Sequence, residues 1–338
     1  MSESRSVVLT IGLPQNEPPW WWKEIQADKG LCDLEYRRVV YRNKRSREIG
    51  LLELPFVFVK MLLVMIKLRR YDYVYTFECD LTTFALSFWQ TLLFVRRPKH
   101  VVLTFVMRER RKTFGSWLKY AVMKFMFRSL HKAVCSSRGE AQYYRDVFGW
   151  PADKLVFVPF PASRDLLETA DGHEEDYVVS AGRAFRDFRT LIAAVRQAEY
   201  KTIVIAARNS VSVGPEDNVE VREEIPLPEY QRILGRSKVV VLVLEDMKIT
   251  AGQTVLLDAM ALGKAVIATR TAGTVDYIRH GENGLLVDPY DPVALRKAID
   301  LLLSDSVLRH RLGKNARADV VENHLPHHYT RQLRAALA

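Results

Sequence analysis

The chain has 338 residues, 48% of them hydrophobic and 27% charged, a composition that suits two globular domains and excludes a fibrous or largely disordered protein. The formal net charge is +10. The three cysteines, Cys32, Cys79 and Cys135, are too widely spaced for a disulfide framework or a zinc cluster, and residues 1–14 contain no apolar signal core, so we expect a cytoplasmic protein.

In chain order, short apolar runs alternate with helical segments. The predicted strands are residues 6–11, 73–76, 100–105, 132–136 and 155–159, then 177–181, 202–206, 239–244, 265–268 and 284–287. This alternation predicts parallel sheets with crossover helices, and therefore an α/β fold of two Rossmann-like domains facing a cleft. Pro159, Pro161 and the polar residues 163–176 predict a linker between the two domains.

Residues 51–68 have the length of a membrane span. Glu53, Lys60 and Lys67 interrupt this run, however, and Pro55 lies near its start. Because a charge near the centre of a bilayer costs a few kcal/mol, we predict a core helix here rather than a span.

The positive charge is concentrated in the first half of the chain. Residues 1–160 carry 27 Lys/Arg and 15 Asp/Glu, a difference of +12, whereas residues 161–338 carry 23 and 25, a difference of −2. The first half is therefore expected to meet an anionic partner. Nucleic acid is not the expected partner, because no nucleic-acid-binding motif accompanies the charge.

Within that half, residues 107–132 interleave basic and aromatic side chains, a pattern that suits an anionic membrane surface. The alternative is an amphipathic helix whose aromatic face joins the core while its basic face is solvated. The residues predicted to contact the membrane or an acceptor are Arg108, Arg110, Arg111, Lys112, Trp117, Lys119 and Lys124.

The second half contains two patterns suited to a nucleoside diphosphate. Residues 250–254 precede a helix in which residues 255–262 are apolar except for Asp258. The free N–H groups at the start of that helix would bind phosphate, and the isolated carboxylate would accept hydrogen bonds from a ribose. Arg183 and Arg186 follow the strand at 177–181 and can fork onto phosphate oxygens, or alternatively pair with Asp187 at the surface.

Residues 250–291 resemble the donor-binding region of GT-B glycosyltransferases of family 4, the glycosyl transferases group 1. The segment LLDAMALGKAV matches the family pattern, with Asp258 at the second of two acidic positions, while Thr250 replaces the first. The resemblance extends over residues 176–315. It implies a first domain of residues 1–162, a second of residues 163–317 and a C-terminal helix, residues 318–338, that packs back on the first domain.

The resemblance also implies roles for individual residues of the second domain. Asp258 would bind the donor ribose, Thr250 the donor sugar, and the backbone at Ile225 the base. The donor diphosphate would be bound by Arg183, Arg186, Ala251, Gly252, Gln253 and Thr254.

Catalytic residues are harder to assign in the first domain. The histidine that retaining members place after the third or fourth strand is absent, which leaves Glu78, Asp80 and Glu109 near strand ends as candidates. Each of these carboxylates is equally compatible with a solvated or ion-paired surface role. The tryptophans at 20–22 suit either a sugar or lipid platform or domain packing.

The expected activity is sugar transfer from a UDP- or GDP-type donor to a lipid-linked saccharide or glycolipid of a bacterial envelope, with retention and without a metal or other cofactor. The chain contains no Asp-x-Asp triple of the kind that binds a metal in the other major glycosyltransferase architecture. We expect the protein to bind peripherally to the inner face of the cell membrane. The alternatives are a sugar-nucleotide 2-epimerase, a non-catalytic nucleotide-sugar-binding protein and a nucleic-acid-binding protein.

Overall fold

The computed structural model describes residues 6–11, 34–39, 49–169, 173–214 and 217–337. Contacts between Cα atoms divide the chain into two compact units. The first comprises Met1–Pro159 together with Thr330–Ala338, and the second comprises Phe160–Tyr329. Each unit is built around one six-stranded parallel sheet with the helices as crossovers, so the α/β prediction is confirmed.

The sheet of the first unit has the order β2-β1-β3-β4-β5-β6, and all of its pairings are parallel. Its strands are β1 (Ser6–Ile11), β2 (Leu34–Val39), β3 (Tyr73–Thr76), β4 (Lys99–Val102), β5 (Lys132–Cys135) and β6 (Leu155–Phe157). The described helices of this unit are α1 (Leu54–Leu68), α2 (Leu81–Leu92), α3 (Phe114–Met126) and α4 (Arg138–Phe148). A side chain caps the N-terminus of three of these helices, namely Asp80 for α2, Thr113 for α3 and Ser137 for α4.

The sheet of the second unit has the order β12-β11-β10-β7-β8-β9, again with every pairing parallel. Its strands are β7 (Tyr177–Ala181), β8 (Lys201–Ala206), β9 (Val219–Glu223), β10 (Val239–Leu242), β11 (Ala265–Thr269) and β12 (Leu285–Val287). Its helices are α5 (Asp165–Glu168), α6 (Phe188–Val195), α7 (Leu227–Arg236), α8 (Gln253–Ala261), α9 (Pro292–Ser304) and α10 (Ser306–Asn323). The last helix of the chain is α11 (Pro326–Leu337).

Both faces of the second sheet are covered. Along β7, Val178 belongs to one buried cluster and Val179 to the other, because successive side chains of a strand point to opposite faces. Helices α7 and α8 pack on one face, and α6 and α9 pack on the other. Helix α10 reaches both, with Ala316 in one cluster and Leu312 in the other. Burial on both sides explains why these strands are continuously apolar in sequence.

In the second sheet, the chain runs from β7 to β8 and β9 on one side, then returns to β10, β11 and β12 on the other side. The strand order therefore reverses between β7 and β10. Ligands of open α/β sheets bind at such a switch point, beyond the carboxyl ends of the strands. The loops that begin at Gly182 and at Val243 follow these two strands, so they flank the switch point.

Ten strands lie where the sequence predicts them, within one to three residues at their ends. The two that were not predicted, β2 and β9, are edge strands. Their sequences, LEYRRV and VEVRE, alternate apolar and polar residues instead of forming an apolar run. An edge strand needs less apolar surface than a central one, so a prediction based on continuous apolar runs misses it.

Two predicted boundaries differ from the structure. Residues 163–176 contain α5, and Leu166 is buried in the core of the second unit, so this segment is not a free linker over its whole length. The helix expected over residues 318–338 is in fact two helices, because α10 ends at Asn323 and α11 begins at Pro326. Val320 packs in the core of the second unit, whereas Thr330–Ala338 group with the first.

Candidate functional site

The loop after β7 holds a partly buried arginine against a glycine. Gly182 has φ +139°, and a Cβ atom there would lie 2.2 Å from the guanidinium of Arg186. Arg186 Nε donates to the carbonyl of Ala181 at 2.9 Å, and Nη1 donates to the carbonyl of Ala184 at 2.9 Å. Gly182 is therefore required both by its backbone conformation and by the guanidinium that packs on it.

The loop after β10 leads into α8 through a second constrained glycine. Gly252 has φ +86°, and a Cβ there would lie 3.1 Å from Leu242. No side chain caps α8 at its first residue, so its leading N–H groups are available to an anion beside Thr254, which is exposed. The side-chain amide of Gln253 donates to the carbonyl of Gly273 at 2.9 Å, which leaves the predicted diphosphate contact of this residue to its backbone N–H. Gln253 thus braces the loop after β11, and the anion donors of this turn are backbone groups.

Asp258 lies on the second turn of α8 and is 5% exposed. The hydroxyl of Tyr230, on α7, donates a hydrogen bond of 3.0 Å to its Oδ2. Burial raises the pKa of Asp258 to about 7, and the Tyr230 hydrogen bond opposes that rise. The carboxylate is thus held in a fixed position and kept close to its titration point at neutral pH.

Arg186 belongs to the same cluster as Tyr230 and Asp258. The positive charge of Arg186 favours the ionised form of Tyr230, whereas burial and the charge of Asp258 raise the Tyr230 pKa well above its usual value. Burial lowers the pKa of Arg186 to about 10, which still leaves the guanidinium charged at neutral pH. The structure therefore places the Asp258 carboxylate in hydrogen-bond contact with Tyr230, and the charge of Arg186 close enough to act on the same tyrosine.

The other residues predicted for the donor site lie in the loops around this cluster. Arg183 is exposed and pairs with Glu224 at 2.9 Å, so part of its charge is already neutralised. Thr250 is buried, and Ala251 and Ile225 pack against the core beneath α8. The N–H of Glu245 donates to the carbonyl of Phe185 at 3.2 Å, which joins the loop after β10 to the loop after β7.

In the first unit, the three candidate catalytic carboxylates have different environments. Asp80 caps α2: its Oδ1 accepts from the N–H of Thr83 at 3.0 Å, and burial raises its pKa to about 6. Glu78 is exposed and Glu109 half-buried. Asp80 therefore has a structural role that the sequence did not reveal, although its raised pKa leaves it able to exchange a proton near neutrality.

The basic segment before α3 is ordered by hydrogen bonds from the helices around it. The N–H of Arg110 donates to the Tyr143 hydroxyl at 2.6 Å, that of Arg111 donates to Ser116 Oγ at 2.9 Å, and the Tyr120 hydroxyl donates to the carbonyl of Arg108. The residues predicted to contact a membrane or acceptor are all exposed, namely Arg108, Arg110, Arg111, Lys112, Trp117, Lys119 and Lys124.

Sequence reasoning missed Tyr230 as a member of the site. In REEIPLPEYQRIL it looks like one more half-apolar residue of the amphipathic helix α7. The available signal was the lone carboxylate at position 258: a buried acid needs a hydrogen-bond donor, and a tyrosine on a neighbouring helix can supply one.

Comparisons with known proteins show a matching family and a shared fold. Residues 207–319 match the family described as Glycosyl transferases group 1. The chain is similar to the lipopolysaccharide core biosynthesis glycosyltransferase LpsE of Rhizobium meliloti, with 37% identity over 67 residues, a match that spans 20% of this chain and 20% of the relative.

Two solved structures share the fold over nearly their whole lengths. Sucrose-phosphate synthase from Thermosynechococcus elongatus has a TM-score of 0.70 and 17% identity, covering 98% of each chain. HepE from Anabaena, solved in complex with UDP, has a TM-score of 0.71 and 15% identity, covering 98% of this chain and 99% of its own. The architecture is therefore GT-B, as the sequence predicted.

Proposed function

We propose, from the match of residues 207–319 to the Glycosyl transferases group 1 family and from the GT-B fold, that the protein transfers a sugar from a nucleoside diphosphate sugar to an acceptor. The observation that carries the proposal is the cluster of Arg186, Tyr230 and Asp258 beside the uncapped start of α8, at the switch point of the second sheet. This arrangement supplies a phosphate site and a ribose acceptor together.

In the proposed complex, the diphosphate lies against the N–H groups of residues 251–254, with Arg186 and Arg183 on its other side. Asp258 accepts hydrogen bonds from the ribose, Ile225 contacts the base through its backbone, and Thr250 faces the sugar. During transfer, negative charge grows on the leaving diphosphate. Fixed cations and N–H groups stabilise that charge because they are already oriented before the reaction.

We propose a UDP-type donor first and a GDP-type donor second. Support for UDP comes from HepE, whose solved complexes contain UDP and UDP-glucose. We also propose a hexosyl transfer with retention that requires no metal, because Arg183, Arg186 and the start of α8 supply the positive charge that a metal would otherwise provide. Activity that survives EDTA would support this part of the proposal, and activity restored only by a divalent cation would contradict it.

The proposed acceptor is a lipid-linked saccharide or glycolipid of envelope polysaccharide assembly, met at the inner face of the cell membrane by the basic first unit. Its support is the +12 charge of residues 1–160 and the exposure of the basic residues around α3. Glu78, Asp80 and Glu109 remain the proposed catalytic carboxylates. Among the described residues, no helix is long and apolar enough to cross a bilayer.

The test is a thermal-shift titration of the full chain with UDP, GDP, ADP and dTDP. We expect a saturable shift with one diphosphate, which is lost in Arg186→Ala because the guanidinium no longer faces the phosphates. Arg189→Ala, at an exposed arginine of α6, is the matched control and should shift as wild type does. If none of the four nucleotides shifts the wild type, the donor proposal fails.

A second candidate function is nucleotide-sugar binding without catalysis. It is favoured by Thr250, which stands where the family resemblance places an acidic residue. Binding of a diphosphate without turnover across a panel of lipid-linked acceptors would favour this function. Product formed from the nucleotide sugar without any acceptor would instead indicate a 2-epimerase.

A further inference from the structure

The exposed large apolar side chains of the first unit are concentrated on one helical layer. Within the described part of this unit, all of them lie on α1 and the turn before it, at the end of α2, or on α3. In the second unit, the exposed apolar residues are scattered over separate helices and loops. Single exposed apolar residues are normal, but a concentration of this kind marks an interaction surface.

Helix α1 is apolar on two opposite sides. One side packs in the core of the first unit through Val57, Met61, Met65 and Leu68. The outer side carries exposed residues at spacings of three or four, which places them on one stripe of the helix. That stripe consists of Phe56, Val59, Leu63 and Ile66. The core prediction for this segment does not account for these four residues.

Helix α3 has a similar outer stripe. Its exposed apolar residues are Phe114, Trp117, Leu118, Val122 and Phe125, and the rings of Phe114 and Trp117 stack at 5.9 Å. On this helix only Tyr120 and Met126 are buried. Phe114, Trp117 and Phe125 therefore face solvent, whereas Tyr120 and Phe127 are buried, so the alternative in which the aromatic side chains form the domain core holds for only these two.

The two stripes belong to one continuous layer. Helix α1 packs against α2, and α2 packs against α3, so the three helices lie side by side over the sheet. The end of α2 contributes Leu92, Leu93 and Phe94, of which Phe94 is 89% exposed. We call this surface the apolar face: the outer stripes of α1 and α3 together with residues 92–94.

The charges around the apolar face have one predominant sign. Segments 51–70, 92–97 and 107–128 contain thirteen Lys/Arg, namely Lys60, Lys67, Arg69, Arg70, Arg96, Arg97, Arg108, Arg110, Arg111, Lys112, Lys119, Lys124 and Arg128. The same segments contain two acidic residues, Glu53 and Glu109. A second copy of the chain would bring positive charge against positive charge. An occupant that is both apolar and anionic fits better.

We infer that the apolar face inserts into the surface of an anionic lipid bilayer, with α1 contributing as much as α3. Exposed leucine, isoleucine and aromatic side chains would enter the boundary between head groups and acyl chains, and the surrounding cations would contact the lipid head groups. The inference rests on the proposed function only in taking the membrane as the location of the acceptor. The surface itself is defined without the donor site.

Vesicle sedimentation of the full chain tests the inference, with phosphatidylcholine vesicles that contain or lack phosphatidylglycerol. The first variant is Leu63→Gln with Ile66→Gln on α1, and the second is Trp117→Gln with Phe125→Gln on α3. Each should lower the partition coefficient by about tenfold or more, because two apolar side chains no longer leave water. The matched control, Val293→Gln with Val307→Gln, changes two exposed apolar residues of the second unit and should bind as wild type.

A UDP thermal shift measured on the same samples separates the two proposals and verifies that the variants fold. An unchanged shift with lost vesicle binding supports the inference. Wild-type binding by the α1 variant, equal binding to vesicles without phosphatidylglycerol, or a wild-type dimer that the α1 variant dissociates would each overturn it. Vesicle binding without any UDP shift would contradict the proposed donor site but would still support membrane binding by the apolar face.

Discussion

The two units share an architecture of six parallel strands but differ in strand order and in surface chemistry. The order reverses once in each sheet, after the second strand of the first unit and after the third strand of the second unit, so one architecture carries two topologies. The second unit buries polar groups, with Asp258 only 5% exposed beside Tyr230 and Arg186. The first unit leaves apolar side chains exposed, such as Phe94 at 89%. Both features oppose the usual distribution of polar and apolar groups, and both therefore indicate function.

The largest effect is expected in the first unit. Reversing the charge of Arg110, Arg111 and Lys112 to glutamate should weaken binding to anionic vesicles by more than a hundredfold, since each basic residue near such a surface contributes about 1 kcal/mol. Sedimentation with phosphatidylglycerol vesicles measures this. Unchanged binding would show that these three charges do not contribute to vesicle binding. The thermal shift with UDP should equal that of the wild type.

The next effect concerns the carboxylate of the second unit. Asp258→Asn should lower the affinity for UDP by about tenfold to a hundredfold, because hydrogen bonds to a charged group contribute about 1.5–3 kcal/mol. Calorimetric titration gives the affinity directly. Asp276→Asn, on the neighbouring loop after β11, is the control and should bind UDP as wild type does. Equal losses in the two variants would mean that the effect is not specific to Asp258.

The same carboxylate predicts a pH dependence. Its pKa in the folded protein is raised to about 7 from a usual value of 3.8, so the protonated form is favoured. The contribution of Asp258 to stability is therefore full below its unfolded pKa and is lost as the pH rises through about 7. Affinity for a ribose, which needs the carboxylate, should change in the opposite direction and increase several-fold over this range. Asp258→Asn should show no such increase in affinity with pH. Any pH dependence that remains in this variant comes from titration of the nucleotide phosphate.

A backbone substitution should connect stability to the donor site. Gly182→Ala forces a side chain onto φ +139° and onto the guanidinium of Arg186, so we expect a stability loss of about 1–3 kcal/mol and a weaker UDP shift. Gly115→Ala is the control, because a Cβ there has nothing within 4 Å. Thermal unfolding with and without UDP measures both effects. A destabilised variant with full UDP binding would show that Arg186 does not face the phosphates.

The smallest effect is expected from the tyrosine. Tyr230→Phe removes one hydrogen bond to Asp258 and should lower UDP affinity by roughly threefold to tenfold, the equivalent of about 0.5–1.5 kcal/mol. Because that hydrogen bond lowers the Asp258 pKa, its loss should also move the midpoint of the pH profile to higher pH. A change in affinity without a moved midpoint would indicate a packing role only.

Particular elements show how far the sequence could be interpreted. The central strands β7, β10 and β11 are apolar runs bounded by polar residues, and they were predicted because both of their faces are buried. The edge strand β9 was missed because only part of it is buried. Asp258 was found as an isolated carboxylate in an apolar helix, but its partner Tyr230 lies 28 residues away, and no local pattern connects the two.

Gln253 has a contact that the sequence did not reveal. Its position in the turn before α8 predicts a contact to diphosphate through the backbone N–H, and in the structure its side-chain amide donates to the carbonyl of Gly273. Asp80 likewise looked like a catalytic candidate and is the cap of α2. In both cases the residue type was read correctly as a hydrogen-bonding group, but its partner depended on which loop folds beside it.

Local periodicity and composition alone predict the α/β class, ten of the twelve described strands, the position of the turn before α8 and the charge asymmetry. The tertiary structure decided which side chains meet. It joined Arg186, Tyr230 and Asp258 into one cluster, and it turned Phe56, Val59, Leu63 and Ile66 of α1 and most of the apolar residues of α3 towards solvent. A helix with apolar residues on two sides has the same sequence pattern whether both sides are buried or only one, and only the packing of its neighbours distinguishes them.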